Sequence, residues 1–224
     1  MSADRAPDEH FIRHFTSLEC PAFVPGILLC LATEITPLWQ ATEAFLQQHN
    51  IAPPFWAFAW PGSQALAHYV TANPHIVAGK RVLDFAAGSG LAAIACAKLG
   101  AEVEAADIDR LAKVAMGMNA AANGVALEVL AEDVVGQDCR WDVILCGDVC
   151  YEAPMTRHIL PWLRRCAAHA LVIIADPGRA YVPRDGFTEL ARFVVPTSLV
   201  LENATSRQVV LMRLEPIILE ACSA

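Results

Sequence analysis

The chain has 224 residues, 55% of them hydrophobic and 18% charged, with a formal net charge of -8. That length suits one sizeable α/β domain with an extension, and that composition a large buried core rather than a disordered tail. The acidic balance argues against broad electrostatic binding to nucleic-acid backbones or anionic membranes and favours a cationic partner.

No apolar run approaches a bilayer span, and the opening MSADRAPDEHFIRHF lacks an apolar signal region, so a cytoplasmic location is expected. A monomer is the expected state. The eight cysteines include no C-x-x-C pair and read as reduced core thiols. Cys166 and His169 have no second pair to complete four ligands, so no metal site is expected.

Residues 1–50 differ in character from the rest, with Pro21, Pro25 and Pro37 interrupting short patterns. The stretch 36–48 reads as a helix entered through Pro37, and the segment as an N-terminal cap on the main domain. After Pro53-Pro54 comes an aromatic run, Trp56 to Gly62, leading to Ser63 as the expected N-cap of a helix through Val70. Trp56, Phe58 and Trp141 read about equally well as core packing.

From residue 81 the pattern becomes regular. Strands are predicted at 81–85, 103–106, 127–130, 143–146 and 171–175, with helices from 91 to 100, from 111 to about 123 and over 155–166. Such alternation implies right-handed βαβ units and a mostly parallel sheet covered on both faces. In the tail, 176–179 lies at the sheet's rim and reads as a plain turn ahead of a contact with the protein substrate, and 186–192 reads as a short helix. Segments 193–201 and 207–214 are predicted as strands joined through 202–206 as an antiparallel hairpin.

Ligands of an open α/β sheet bind beyond the carboxyl ends of its strands, so the loops after the first four strands should converge. Each delivers an acid: Asp84 before the turn Ala86–Gly90, then Asp107, Asp133 and Asp148. Any one alone fits a helix cap; four at corresponding positions fit a ligand better. Gly88 and Gly90 permit close backbone approach in either a dinucleotide or a nucleoside site, and Asp107 suits the ribose hydroxyls of both. Asp84 discriminates, because a carboxylate aimed into the turn repels a pyrophosphate and attracts an ammonium or sulfonium. S-adenosylmethionine is therefore the expected cofactor, with S-adenosylhomocysteine as product, ahead of NAD.

VLDFAAGSG, AADID, AEDV and CGDVCYE resemble the seven-strand class of S-adenosylmethionine-dependent methyltransferases. Asp148-Val-Cys-Tyr151 resembles the D-x-x-Y mark of its protein-lysine branch. ITPLWQATEAFL and PPFWAFAWPGSQALAHYV are similar to the members that methylate the electron transfer flavoprotein β subunit. The resemblance implies an α/β fold: a Rossmann-like seven-strand sheet, mostly parallel, with an antiparallel C-terminal hairpin and a small N-terminal helical extension over 1–50 before a methyltransferase domain over 51–224. It implies that Trp60 and Gly62 lie beside the cofactor, that Asp84, Gly88 and Gly90 hold its methionine end, Asp107 the ribose and Asp133 the adenine. Asp148 and Tyr151 would face the methyl-accepting lysine as the catalytic pair. The expected partner is a protein substrate, the flavoprotein β subunit or a ribosomal protein. A small-molecule N-methyltransferase is the same chemistry; an NAD-dependent oxidoreductase and a cofactor-binding protein without turnover are the rivals of other classes. One departure stands out: Ala86 replaces the first glycine of the family's D-x-G-x-G-x-G, which is harmless where φ is negative.

Overall fold

The computed structural model describes residues 5–32 and 53–216. It opens with helix α1 (Arg5–Phe15) and a two-stranded antiparallel ribbon of β1 (Ser17–Glu19) and β2 (Leu29–Leu31). The helix expected at 36–48 lies outside the described residues.

After a 3-10 turn at Phe55–Ala57 come α2 (Pro61–Ala72), β3 (Arg81–Phe85), α3 (Leu91–Lys98), β4 (Glu102–Ala106), α4 (Arg110–Ala122) and β5 (Glu128–Leu130). The second half adds β6 (Val143–Gly147), α5 (Ala153–Cys166), β7 (Leu171–Asp176), β8 (Phe187–Pro196), the single turn α6 (Leu199–Glu202) and β9 (Ser206–Leu214). The main sheet has seven strands in the order β5-β4-β3-β6-β7-β9-β8. Its first five strands are parallel, and β9 runs antiparallel to both β7 and β8.

The central strands β3, β6 and β7 are buried on both faces, as their near-continuous apolar sequences require. Val82, Val143, Leu145 and Ile173 pack with Leu66, Leu91 and Ile94 on one face. Their neighbours Leu83, Ile144, Val172 and Ile174 pack with Ile159, Trp162 and Leu163 of α5 on the other. Trp56 and Trp141 are core residues, 1% and 3% exposed.

Two expectations in the tail and one at α2 are corrected. Residues 187–192 belong to strand β8, not a helix; a register shift between Glu189 and Ala191 breaks the alternation that would mark a strand. The expected strand at 193–201 stops at Pro196, and α6 intervenes before β9. Helix α2 is capped by Trp60 with Pro61 in its first turn, so Ser63 lies inside it.

The chain leaves β3 toward β4 and β5 and then returns to β6 on the other side of β3. The loops after β3 and β6 therefore part at this switch point and open a crevice.

Candidate active site

A cavity of about 740 Å³ fills that crevice, lined by residues following β3, β4, β5 and β6 and by the aromatic run before α2. The glycine turn is one wall. Asp107 fixes it, accepting the Gly88 N–H at 2.9 Å through Oδ2 and the Asp109 N–H at 2.9 Å through Oδ1. A carboxylate offers about four acceptor sites, so Asp107 keeps capacity for a ligand. Burial raises its pKa, against the two amides.

Gly88 and Gly90 have φ of +52° and +76°, the left-handed region that glycine enters freely. Gly90 caps α3, and a Cβ there would lie 3.0 Å from Met116. Ala86 also lies in this region, at φ +53°. The negative φ that would make its substitution for glycine harmless is not what the loop adopts, and an L-residue there costs about 1–2 kcal/mol.

Asp84 sits behind the turn rather than in the cavity wall. It is 3% exposed, and its Oδ2 accepts the Ala93 N–H of α3 at 2.8 Å. Burial pushes its pKa up to about 7, with the Ala93 amide opposing and Asp107 reinforcing the shift. Gly90 and Gly62 are likewise buried and absent from the cavity lining, whereas Trp60, Gly88, Asp107, Asp133, Asp148 and Tyr151 all line it.

Asp148 follows β6 with φ +56° and is 7% exposed. Its Oδ2 accepts the Gly62 N–H at 2.5 Å, where the N-terminus of α2 favours negative charge. The closeness explains Gly62: a Cβ would meet Asp148 Oδ2 at 2.4 Å and the Ala175 carbonyl at 2.5 Å. Asp148 Oδ1 accepts Arg179 Nη2 and Nε at 2.8 and 3.2 Å. Burial pushes its pKa up to about 6, opposed by Arg179 and the Gly62 amide.

Aromatic rings form the facing wall. Trp60 donates its indole N–H to the Phe55 carbonyl at 2.8 Å, and its ring centre lies 5.9 Å from those of Phe55 and Phe58. Phe55 lies 5.6 Å from Tyr151, which is 39% exposed at the mouth. At the opposite end Asp133 is exposed, accepting the Val135 N–H at 2.9 Å and standing 3.9 Å from His158.

Arg179, read in the sequence as part of a plain turn at the rim, has a role there that the sequence does not show. The turn read as plain brings its guanidinium into the cavity lining, 5.7 Å from the Trp60 ring centre. Its partners lie on distant segments, and an arginine beside Pro-Gly carries no local signal of them.

The glycine-turn half matches the family model described as ribosomal protein L11 methyltransferase (PrmA) over residues 65–149. The chain is 37% identical to the electron transfer flavoprotein beta subunit lysine methyltransferase of Danio rerio over 191 residues, 81% of this chain and 73% of that protein. The Xenopus laevis protein of the same name is 38% identical over 178 residues, 76% of this chain and 70% of its own length. Among solved structures, magnesium protoporphyrin IX methyltransferase from Synechocystis with bound SAM aligns at TM-score 0.51 and 19% identity, covering 67% of this chain and 77% of that one. The Pyrococcus abyssi tRNA (uracil-54, C5)-methyltransferase aligns at TM-score 0.50 and 16% identity over 66% of this chain and 38% of that one, a likeness of fold alone. At the identity and coverage of its vertebrate relatives, with the sheet order and glycine turn above, this chain belongs to the electron transfer flavoprotein β-subunit lysine methyltransferase family.

Proposed function

We propose that the cavity holds S-adenosylmethionine and that the protein transfers its methyl group to lysine side chains of the electron transfer flavoprotein β subunit. The observation that carries this reading is the convergence of Gly88, Asp107, Asp133, Asp148 and Tyr151 on one cavity at the sheet's switch point. The donor set fits the cofactor. Glu132, Asp133, Asp107 and Asp148 present carboxylates, and Arg179, the one arginine of the lining, already faces two acids, so this net negative charge would repel a pyrophosphate and attract a cationic methionine end.

Asp107 would accept from the ribose hydroxyls, Asp133 from the adenine amino group, and the Gly88 and Gly90 turn would seat the methionine end. Asp84 would act through the turn it braces. The bound cofactor supplies a methyl group already activated on a sulfonium. The protein's work is then orientation and exclusion of water. A lysine ammonium, with a reference pKa of about 10.4, has no lone pair and must lose a proton before it reacts. Asp148 has one acceptor position left on Oδ2 after its three bonds and would take an N–H of the incoming amine. Tyr151 and Trp60 would line the lysine's path, where aromatic faces stabilise a cation.

The ribosomal-protein reading draws on residues 65–149, which end before Tyr151 and Arg179, and on relatives of that name matched over only 30% of this chain. Calorimetry tests the cofactor assignment. The protein should bind S-adenosylmethionine and S-adenosylhomocysteine, and Asp107→Ala should weaken both at least tenfold, about 1.4 kcal/mol. Binding of NAD without either nucleoside would contradict it.

A further inference from the structure

Asp148 is one end of a buried chain of charges. Arg179 bonds its Oδ1 through Nη2 and Nε, and turns Nη2 and Nη1 to Glu202 Oε1 and Oε2 at 2.5 and 3.1 Å. Glu202, its side chain 1% exposed, is held from behind by Arg207, whose Nε meets Oε2 at 3.1 Å and whose Nη2 meets the Glu202 carbonyl at 2.6 Å. The turn presenting Arg179 is fixed by Asp176, whose Oδ1 accepts the N–H groups of Gly178 and Arg179 at 2.7 and 2.6 Å. Of the five guanidinium hydrogens, these contacts use four, so Arg179 has little left to offer a ligand directly.

Buried ion pairs add little net stability over packed apolar side chains, because desolvation offsets the attraction. What this chain does provide is a fixed charge. Asp148 faces Gly62 N–H from α2, Arg179 from the turn after β7, Asp176 at the end of β7 and Cys150 on its own loop, with Glu202 and Arg207 behind Arg179. Arg179 is the single cation in direct contact with it among the described residues.

We propose that Arg179, held by Glu202, is a positioning residue for Asp148: it locks the carboxylate against the N-terminus of α2 and keeps it negative, so that a substrate amine meets a charged acceptor in one orientation. The proposal rests on reading Asp148 as the acid that meets the lysine. Without Arg179, the carboxylate would face Asp176 in a buried wall and hold its proton, becoming an O–H donor where an acceptor is needed. The direction of the shift already present agrees, since burial raises the Asp148 pKa while Arg179 opposes it.

The test compares wild type with Arg179→Gln, Arg179→Lys and the double variant Arg179→Gln/Glu202→Gln, which removes one charge of each sign and does not leave Glu202 without its Arg179 partner. Carboxyl 13C resonances are titrated in each, with Asp148 assigned by its loss in Asp148→Asn, and S-adenosylhomocysteine affinity and lysine-transfer kinetics are measured on the same samples. In Arg179→Gln and the double variant the Asp148 midpoint should rise by about one to three pH units, and Arg179→Lys should return it toward wild type. S-adenosylhomocysteine affinity should hold while kcat falls about a hundredfold, with KM little changed. In wild type, log kcat/KM should climb with slope one while the lysine deprotonates and slope two below about pH 6, where Asp148 also takes up a proton. In the variants that break should move up with the midpoint. A wild-type midpoint in the folded double variant would overturn the proposal, as would loss of S-adenosylhomocysteine binding in step with activity. If the midpoint moves but wild type methylates no lysine, the function assigned to the site fails while the Arg179 role stands.

Discussion

At Gly62 there is no room for a methyl group, since a Cβ would press on both Asp148 Oδ2 and the Ala175 carbonyl. Neither neighbour can yield, one being held by Arg179 and the other accepting the Asp148 N–H at 3.0 Å just beyond the end of β6. Gly62→Ala should therefore cost about 1–3 kcal/mol in denaturant unfolding and, by displacing Asp148, reduce methyl transfer more than cofactor binding. Ala86 is the converse case. Its left-handed backbone is strained for alanine, so Ala86→Gly should stabilise the protein by about 1 kcal/mol, seen as a rise of roughly 2–4 °C in Tm. Asp107, Asp133 and Asp148 were legible because each sits just past a predicted strand, and the fold brings those places together on one cavity. The contacts of Gly62 and Arg179 were not, because each depends on a segment far away in sequence: 86 positions for Gly62 and Asp148, 31 for Arg179 and Asp148.

Among the elements, α4 is the strut that joins the N-terminal ribbon to the glycine turn. Asn119, fully buried on its inner face, accepts the Cys30 N–H of β2 at 2.7 Å and donates to the Ser89 carbonyl at 2.8 Å. One turn later Asn123 accepts the Leu28 N–H at 3.0 Å and donates to the Leu28 carbonyl at 2.6 Å. Asn119→Ala would strand a buried donor and a buried acceptor, at about 1–3 kcal/mol each. The expected result is lower stability together with weaker S-adenosylhomocysteine binding, because the freed carbonyl belongs to the turn. The parallel strands and their helices were readable because burial on both faces leaves long apolar runs between turn residues. The first half of strand β8, residues 187–192, was not, since its bulge disrupts the period of two. Helix α1 was hidden as well, because RAPDEHFIRHF is mostly polar and bears only a short apolar stripe before the proline-broken stretch.

For the whole molecule, the charge of -8 and the acids around the cavity set up a negative field, which would favour a basic segment of the substrate protein. Transfer to a protein substrate should consequently show kcat/KM falling as salt is raised past about 0.1 M, with kcat nearly unchanged, because screening slows encounter rather than chemistry. The decisive measurement is incubation of the protein with methyl-labelled S-adenosylmethionine and a lysate from cells lacking it, followed by mass-spectrometric identification of the labelled protein and residue. The proposed function requires label on lysine of the electron transfer flavoprotein β subunit, and none when Asp148→Ala is used in its place. Label confined to other proteins or to other side chains, or undiminished transfer by Asp148→Ala, would contradict it.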